Sequence, residues 1–274
     1  MSEISNEAMQ HVLKNNIMKD DFGWDIPVET VPLPSKGIIY NPDSVLHNKE
    51  TLQIKAMTAT EEDILLSPAY IKDGTAILQL IKSCLIDKRI DVSDLIIGDR
   101  NALLVSVRIT GYGTNYDVTS RCGNCNESND TVVDLSSLTI SRLKIDPVEP
   151  GKNLFLYKLP VTGKSVVYKY LNAKDEKNRQ RKQDFIKKHS GGKIENSVIT
   201  FLEESIVSIE GITDKNKISH FIRNMPALDS RKLRNYIDDN SPGIDMLYSF
   251  ECKNCQHENT VKLPVNSNFF WPGQ

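Results

Sequence analysis

NYDVTSRCGNCNESNDTVVDLSSL (115–138) and LYSFECKNCQHENTVKLPV (247–265) carry two Cys-x-x-Cys pairs, Cys122/Cys125 and Cys252/Cys255. In the first, Tyr116 to Ser120 and Thr131 to Leu135 read as short strands flanking a polar turn, so the pair sits near the tip of a β-hairpin. The second has the same form. Gly123 and Asn124 fill one turn, Lys253 and Asn254 the other. Each tight turn can present two sulfurs, and tetrahedral zinc takes four thiolates readily. The spacing departs from the usual ribbon: 126 residues separate Cys125 from Cys252, against roughly 15–20 in the common pattern. The two knuckles must therefore meet by tertiary folding, with the middle of the chain as an insertion. A closed four-sulfur shell leaves no place for water, so the zinc is expected to be structural. His257, two residues past Cys255, could replace a sulfur. Two unrelated turns with reduced thiols are the plainer alternative. A redox pair is a third, although neither pair has a convincing helix after it to lower a thiol pKa.

Outward from the hairpins, composition narrows the class. The chain has 274 residues, 39% hydrophobic and 26% charged, with 34 basic against 36 acidic side chains and a net charge of −2. These values exclude collagenous, mucin-like and wholly disordered chains. Near-neutral charge argues against a protein whose main task is coating nucleic acid. No apolar run approaches the roughly 20 residues of a membrane span. The start, MSEISNEAMQHVLKNN, lacks the pattern of a signal peptide. A soluble intracellular protein is expected. Five cysteines, four of them in knuckles, do not make a disulfide scaffold.

Residues 3–18 predict a short amphipathic helix, and 20–37, with Pro27, Pro32 and Pro34, an extended arm that docks on something. Thr58 and Glu61 fit a capping box, and Pro68 ends or kinks that helix. Ile77, Leu80, Ile81, Cys84 and Leu85 form one helical stripe, which makes Cys84 a buried filler. Asn101 to Thr110 reads equally as a buried helix or strand. NLFLYKLPVTGKSVVYKYL (153–171) predicts two strands around a turn at Thr162-Gly163. Later stripes predict helices at Val198, Phe201, Leu202, Ser205, Ile206 and Ile209, at Ile218 to Met225, and over Leu233 to Ile237 with Asp229 as cap. The fold class is α+β: helical bundle segments combined with β-hairpins carrying a split zinc ribbon. Four stretches are expected: 1–50, helix and proline-rich arm; 51–145, helical domain with the first knuckle; 146–195, a hairpin and a charged insertion; 196–274, helices, second knuckle and aromatic tail.

No catalytic site emerges. The five histidines are scattered, and Gly111-Tyr112-Gly113 lacks the rest of a dinucleotide loop. The charged run 174–188 reads as a solvated helix or mobile loop, or else as a contact for nucleic acid or an acidic partner, although Phe185 is its one aromatic where interleaved aromatics would stack bases. Phe269, Phe270, Trp271 and Pro272 are typical interface anchors. Either they dock on this chain's own core or they bind a partner.

LPSKGIIY (33–40), IKAMTATEEDILLSPAYIKDG (54–74), IDVSDLIIGDRNALLVSVRITGYGTNY (90–116) and the second knuckle with its FFWP ending resemble the T-even-type bacteriophage baseplate hub assembly proteins, also described as baseplate hub assembly chaperones. The resemblance implies a non-enzymatic protein of contractile-tailed phages that binds other baseplate hub and tail proteins. It would work in the host cytoplasm during tail assembly or reside in the virion baseplate, with no membrane contact. The alternative from the residues alone is a zinc-ribbon nucleic-acid-binding regulator using 174–188, which predicts strongly salt-dependent binding.

Overall fold

The proline-rich arm is the centre of a small sheet. A computed structural model describes residues 16–19, 23, 25–191, 196–263 and 269–270, with the backbone alone at 16–19 and 25. In it β1 (Asn16–Lys19), β2 (Asp25–Pro32) and β3 (Thr51–Lys55) pair antiparallel in that spatial order. Residues 3–15 of the expected first helix lie outside the described residues. Residues 16–18 are strand instead, because Asn16, Ile17 and Met18 pair with Val28, Pro27 and Ile26. The arm docks on its own chain: Val28, Val31 and Leu33 are buried.

Three helices follow, α1 (Ala59–Leu66), α2 (Pro68–Lys72) and α3 (Ala76–Cys84). The Thr58–Glu61 capping box forms as expected, and Pro68 opens α2 at a position where its missing N–H costs nothing. On α3, Leu80, Ile81 and Cys84 face inward and are fully buried. Burial first, and the nearby Glu61 carboxylate second, push the Cys84 thiol up to about 12, so it packs as an inert apolar group.

The ambiguous stretch is a helix, α4 (Ile97–Tyr112), buried on every side from Ala102 through Val107. A helix with no polar face belongs at the centre of a core. Two contacts fix its start. Asp99 is fully buried and accepts from Ser35 N (2.9 Å), Ser35 Oγ (2.5 Å) and Tyr40 Oη (2.6 Å), while Tyr40 Oη accepts from Ile96 N. Gly98 packs so closely on the Pro242 carbonyl that a Cβ there would stand 1.8 Å from its oxygen.

The second half is built on an antiparallel sheet of β7 (Phe155–Lys158), β8 (Ser165–Tyr168) and β9 (Ile206–Ile209). Around it lie α5 (Ala173–His189), α6 (Ser197–Ser205), α7 (Lys215–Asn224) and α8 (Ala227–Asp239). The stripe expected to be one helix from Val198 to Ile209 divides. α6 ends at Ser205, and the β-branched run Ile206-Val207 turns into β9, pairing with Tyr168 and its neighbours. Asp229 does not cap α8, whose N-cap is Pro226. Its buried carboxylate accepts instead from Val161 N (2.7 Å) and Thr162 N (3.0 Å), holding the β7–β8 turn onto α8. A two-residue pairing of β6 (Ile140–Ser141) with β10 (Gly243–Ile244) joins the halves. One buried cluster runs from Val31 to Phe270 and draws on all four of the expected stretches.

Candidate metal centre

Both knuckled hairpins form where expected: β4 (Asn115–Arg121) with β5 (Ser128–Asp134), and β11 (Leu247–Glu251) with β12 (Glu258–Lys262). The two turns are copies of each other. Cys122 N donates to Glu127 O (2.9 Å) as Cys252 N does to His257 O (3.0 Å); Asn126 N donates to Cys122 O as Gln256 N does to Cys252 O, both at 2.9 Å. Asn126 and Gln256 hold the left-handed turn residue, with φ of 61° and 57°.

The hairpins lie face to face, and the four sulfurs converge. All four Sγ atoms lie within 4.8 Å of one another. The short gaps cross between hairpins, Cys122 to Cys255 at 3.7 Å and Cys125 to Cys252 at 3.6 Å. All are free thiols. Cys122 and Cys252 are buried and Cys125 and Cys255 half-buried, so the donor set is shielded without being inaccessible. Four thiols in this arrangement can hold a thiophilic metal ion. His257 is exposed and outside the four-sulfur group, contributing only its carbonyl to the turn.

Two residues that motif reading passed over complete the centre. Asn129 of the first hairpin donates Nδ2 to Cys252 Sγ (3.5 Å), and its Oδ1 accepts from Lys253 N (2.9 Å). Asn259 of the second does the same in return, to Cys122 Sγ (3.5 Å) and from Gly123 N (2.8 Å). Each hairpin thus latches the other's first cysteine. Both asparagines are buried. The signal is in the sequence: each motif is Cys-x2-Cys-x3-Asn, with the asparagine four residues past the second cysteine.

The electrostatics favour thiolate at the latched positions. The Cys125 N–H first, then the Asn124 N–H and Asn259, outweigh burial and lower Cys122 to about 6. Cys252 is lowered likewise by the Cys255 N–H, the Asn254 N–H and Asn129. The Glu127 N–H lowers Cys125, but burial and the hydrogen bonds shared with Cys255 and Cys252 carry it up to about 11. After each second cysteine the chain returns as a strand, without the helix start that activates a redox thiol.

The pair of hairpins is anchored to α4. Ser120 Oγ and Tyr248 Oη hydrogen-bond across the hairpins. Arg108, buried on α4, donates to the carbonyls of Gly113 (2.9 Å) and Asn115 (3.2 Å) and lies 5.9 Å from the Tyr116 ring. On Tyr116 sits Phe269, ring centroids 5.1 Å apart. Phe269 and Phe270 are both buried, 0% and 2% exposed, so the self-docking expectation describes them. Trp271 and Pro272 lie outside the described residues.

The charged run 174–188 is α5. Its start is held by the Asn172–Asp175 capping box, Lys174 pairs with Asp94, and Lys182 with Glu204. Part of its positive charge is therefore already met within the chain. Among the described residues no helix is long and apolar enough to cross a membrane.

Fold and site together define a mixed helix-and-hairpin protein whose distant segments meet at a four-thiol centre. The chain belongs to the T4 bacteriophage base plate protein family, whose model matches residues 37–271 and so takes in both knuckles. No curated protein and no solved structure matches it.

Proposed function

We propose that this protein is a hub assembly factor or hub component of the phage baseplate, acting by binding other tail proteins and without turnover. The family match over residues 37–271 carries the reading. It is further supported by the resemblance of 33–40, 54–74 and 90–116 to hub assembly proteins. Two of those segments meet inside the molecule, where Ser35 and Tyr40 close on Asp99. The protein would act in the host cytoplasm during tail assembly and, as a hub component, would remain in the virion.

The centre in this reading holds one structural zinc on Cys122, Cys125, Cys252 and Cys255. The cross-hairpin gaps of 3.7 and 3.6 Å support it, because four thiolates about 2.3 Å from a tetrahedral zinc stand about 3.8 Å apart. The metal supplies cohesion and no chemistry. Partner contact is assigned to Trp271 and Pro272, while the buried Phe269 and Phe270 belong to this chain's own core.

Quantitative mass spectrometry of purified particles against infected-cell lysate tests the reading. A fixed copy number per particle makes the protein a hub component. Abundance in lysate bound to tail proteins, with none in particles, makes it an assembly chaperone. A chain bound to no tail protein in either sample overturns the proposal, and strongly salt-dependent DNA or RNA binding in its place selects the regulator.

A further inference from the structure

Between the two halves lies a cleft of about 670 Å³, within the size range of ligand pockets. It is walled by the start of α4, the β8–α5 connection, the ends of α6 and α8, and the base of the second knuckled hairpin. Its lining combines apolar side chains, Ile97 and Leu171 among them, with the cations Arg179, Arg234 and Lys262 against two acids, Asp238 and Asp245; Lys169, also in the lining, is already paired with Asp175 at 2.7 Å.

Three buried polar atoms in this lining have no hydrogen-bond partner: Ser205 Oγ, Asn101 Oδ1 and Arg234 Nε. Ser205 is 0% exposed. Buried polar groups are nearly always satisfied, and an orphaned one demands an explanation. Here three orphans belong to the lining of one cleft, and one of them is a guanidinium N–H. The helix that opens onto the same cleft, α4, also begins without a side-chain cap, at Ile96. Its first turn carries the buried Asp99, and Ile97 N donates to Leu171 O (2.9 Å), so the recognition rests on the side-chain cations.

We propose that this cleft receives an acidic segment of a protein partner, a carboxylate pairing with the Arg234 guanidinium while its apolar neighbours fill the rest. The inference rests on the reading of the protein as one that binds tail proteins. A singly charged carboxylate suits the lining better than phosphate, because Asp238 and Asp245 would repel a multiply charged anion and much of the wall is apolar. A planar carboxylate also matches the fork of a guanidinium.

The test uses the 274-residue, metal-loaded chain and an array of acetylated pentapeptides with Asp or Glu at the centre and apolar neighbours. Each is paired with its Asn or Gln counterpart. The unaltered chain should retain acidic peptides about tenfold or more over the amides. The double variant Arg179→Gln/Arg234→Gln should lose that preference with metal content and melting temperature unchanged, while Lys177→Gln, outside the cleft, should keep it. Equal retention of acids and amides, survival of the preference in the double variant, or displacement by millimolar inorganic phosphate would each overturn the assignment. The acid–amide comparison on the unaltered chain decides even if the double variant fails to fold. A chain incorporated in particles without any such preference would leave the baseplate reading intact and remove only the cleft.

Discussion

Glu61 shows how one side chain can hold several elements at once. Fully buried, it accepts from Lys55 Nζ of β3 (2.7 Å), Thr58 N (3.0 Å) and Thr58 Oγ1 (2.6 Å) at the helix start, and Ser83 Oγ of α3 (2.5 Å). Burial alone would raise its pKa, but the hydrogen bonds from Lys55, Ser83 and Thr58 prevail and hold it at about 2, below its ordinary 4.5. A depressed carboxylate stabilises the fold above its ordinary pKa and loses that contribution as pH falls toward the depressed value. A tenfold change in acidity corresponds to about 1.4 kcal/mol, so Glu61 contributes about 3 kcal/mol near neutrality. Glu61→Gln should cost that much at neutral pH. The gap between variant and parent, followed by denaturant unfolding, should close between about pH 4.5 and about pH 2; a gap independent of pH would refute the assignment. The capping half of this arrangement was legible from Thr-x-x-Glu. Its reach to Lys55 and Ser83 was not, because contacts made by tertiary packing leave no local pattern. Asp229 teaches the same lesson: its position suggested a cap, yet its carboxylate serves a turn nearly 70 residues earlier.

At the scale of elements, strict local patterns survived and mixed ones did not. The hairpins were legible because alternating strands bracket a rigid turn, and α3 because its stripe repeats cleanly. The Val198–Ile209 stripe misled because a helix running straight into a strand leaves apolar residues at spacings that both periods accept. The first strand was hidden for a related reason: Asn16 to Met18 become strand only by pairing with the arm. The reciprocal asparagines yield a prediction of their own. Cys252→Ser removes a ligand and should abolish metal binding and loosen the fold, since site formation and folding are coupled. Asn259→Ala keeps all four thiols and should lower metal affinity by about 10–100-fold, as is typical when an outer partner of a ligand is lost. Competition with a chromophoric chelator measures both. Equal affinity in Asn259→Ala and parent would make the latch merely structural.

For the whole molecule, the meeting of the two knuckles was readable from their chemistry, whereas the destination of the aromatic end was not. Three aromatics in a row fit a docked tail and an exposed anchor equally well, and only the burial of Phe269 and Phe270, with Phe269 against Tyr116, places those two. Phe269→Ala should therefore destabilise the folded chain by about 3–5 kcal/mol, the cost of truncating a fully buried Phe. The thermal midpoint should fall while the four-thiol centre still takes up metal. An unchanged midpoint would mean that the ring contributes little where it sits.

The four-thiol centre also sets an order of events during synthesis. Cys125 and Cys252 stand 127 positions apart, so at about 5–20 residues per second a ribosome takes roughly 6–25 s to travel from one to the other. Throughout that interval the first knuckle has only half of its donors, and its buried Asn129 has no sulfur to hold. A chain released early cannot complete the centre at all. Metal uptake would thus require a nascent chain extended through its second knuckle, separating such copies from shorter fragments.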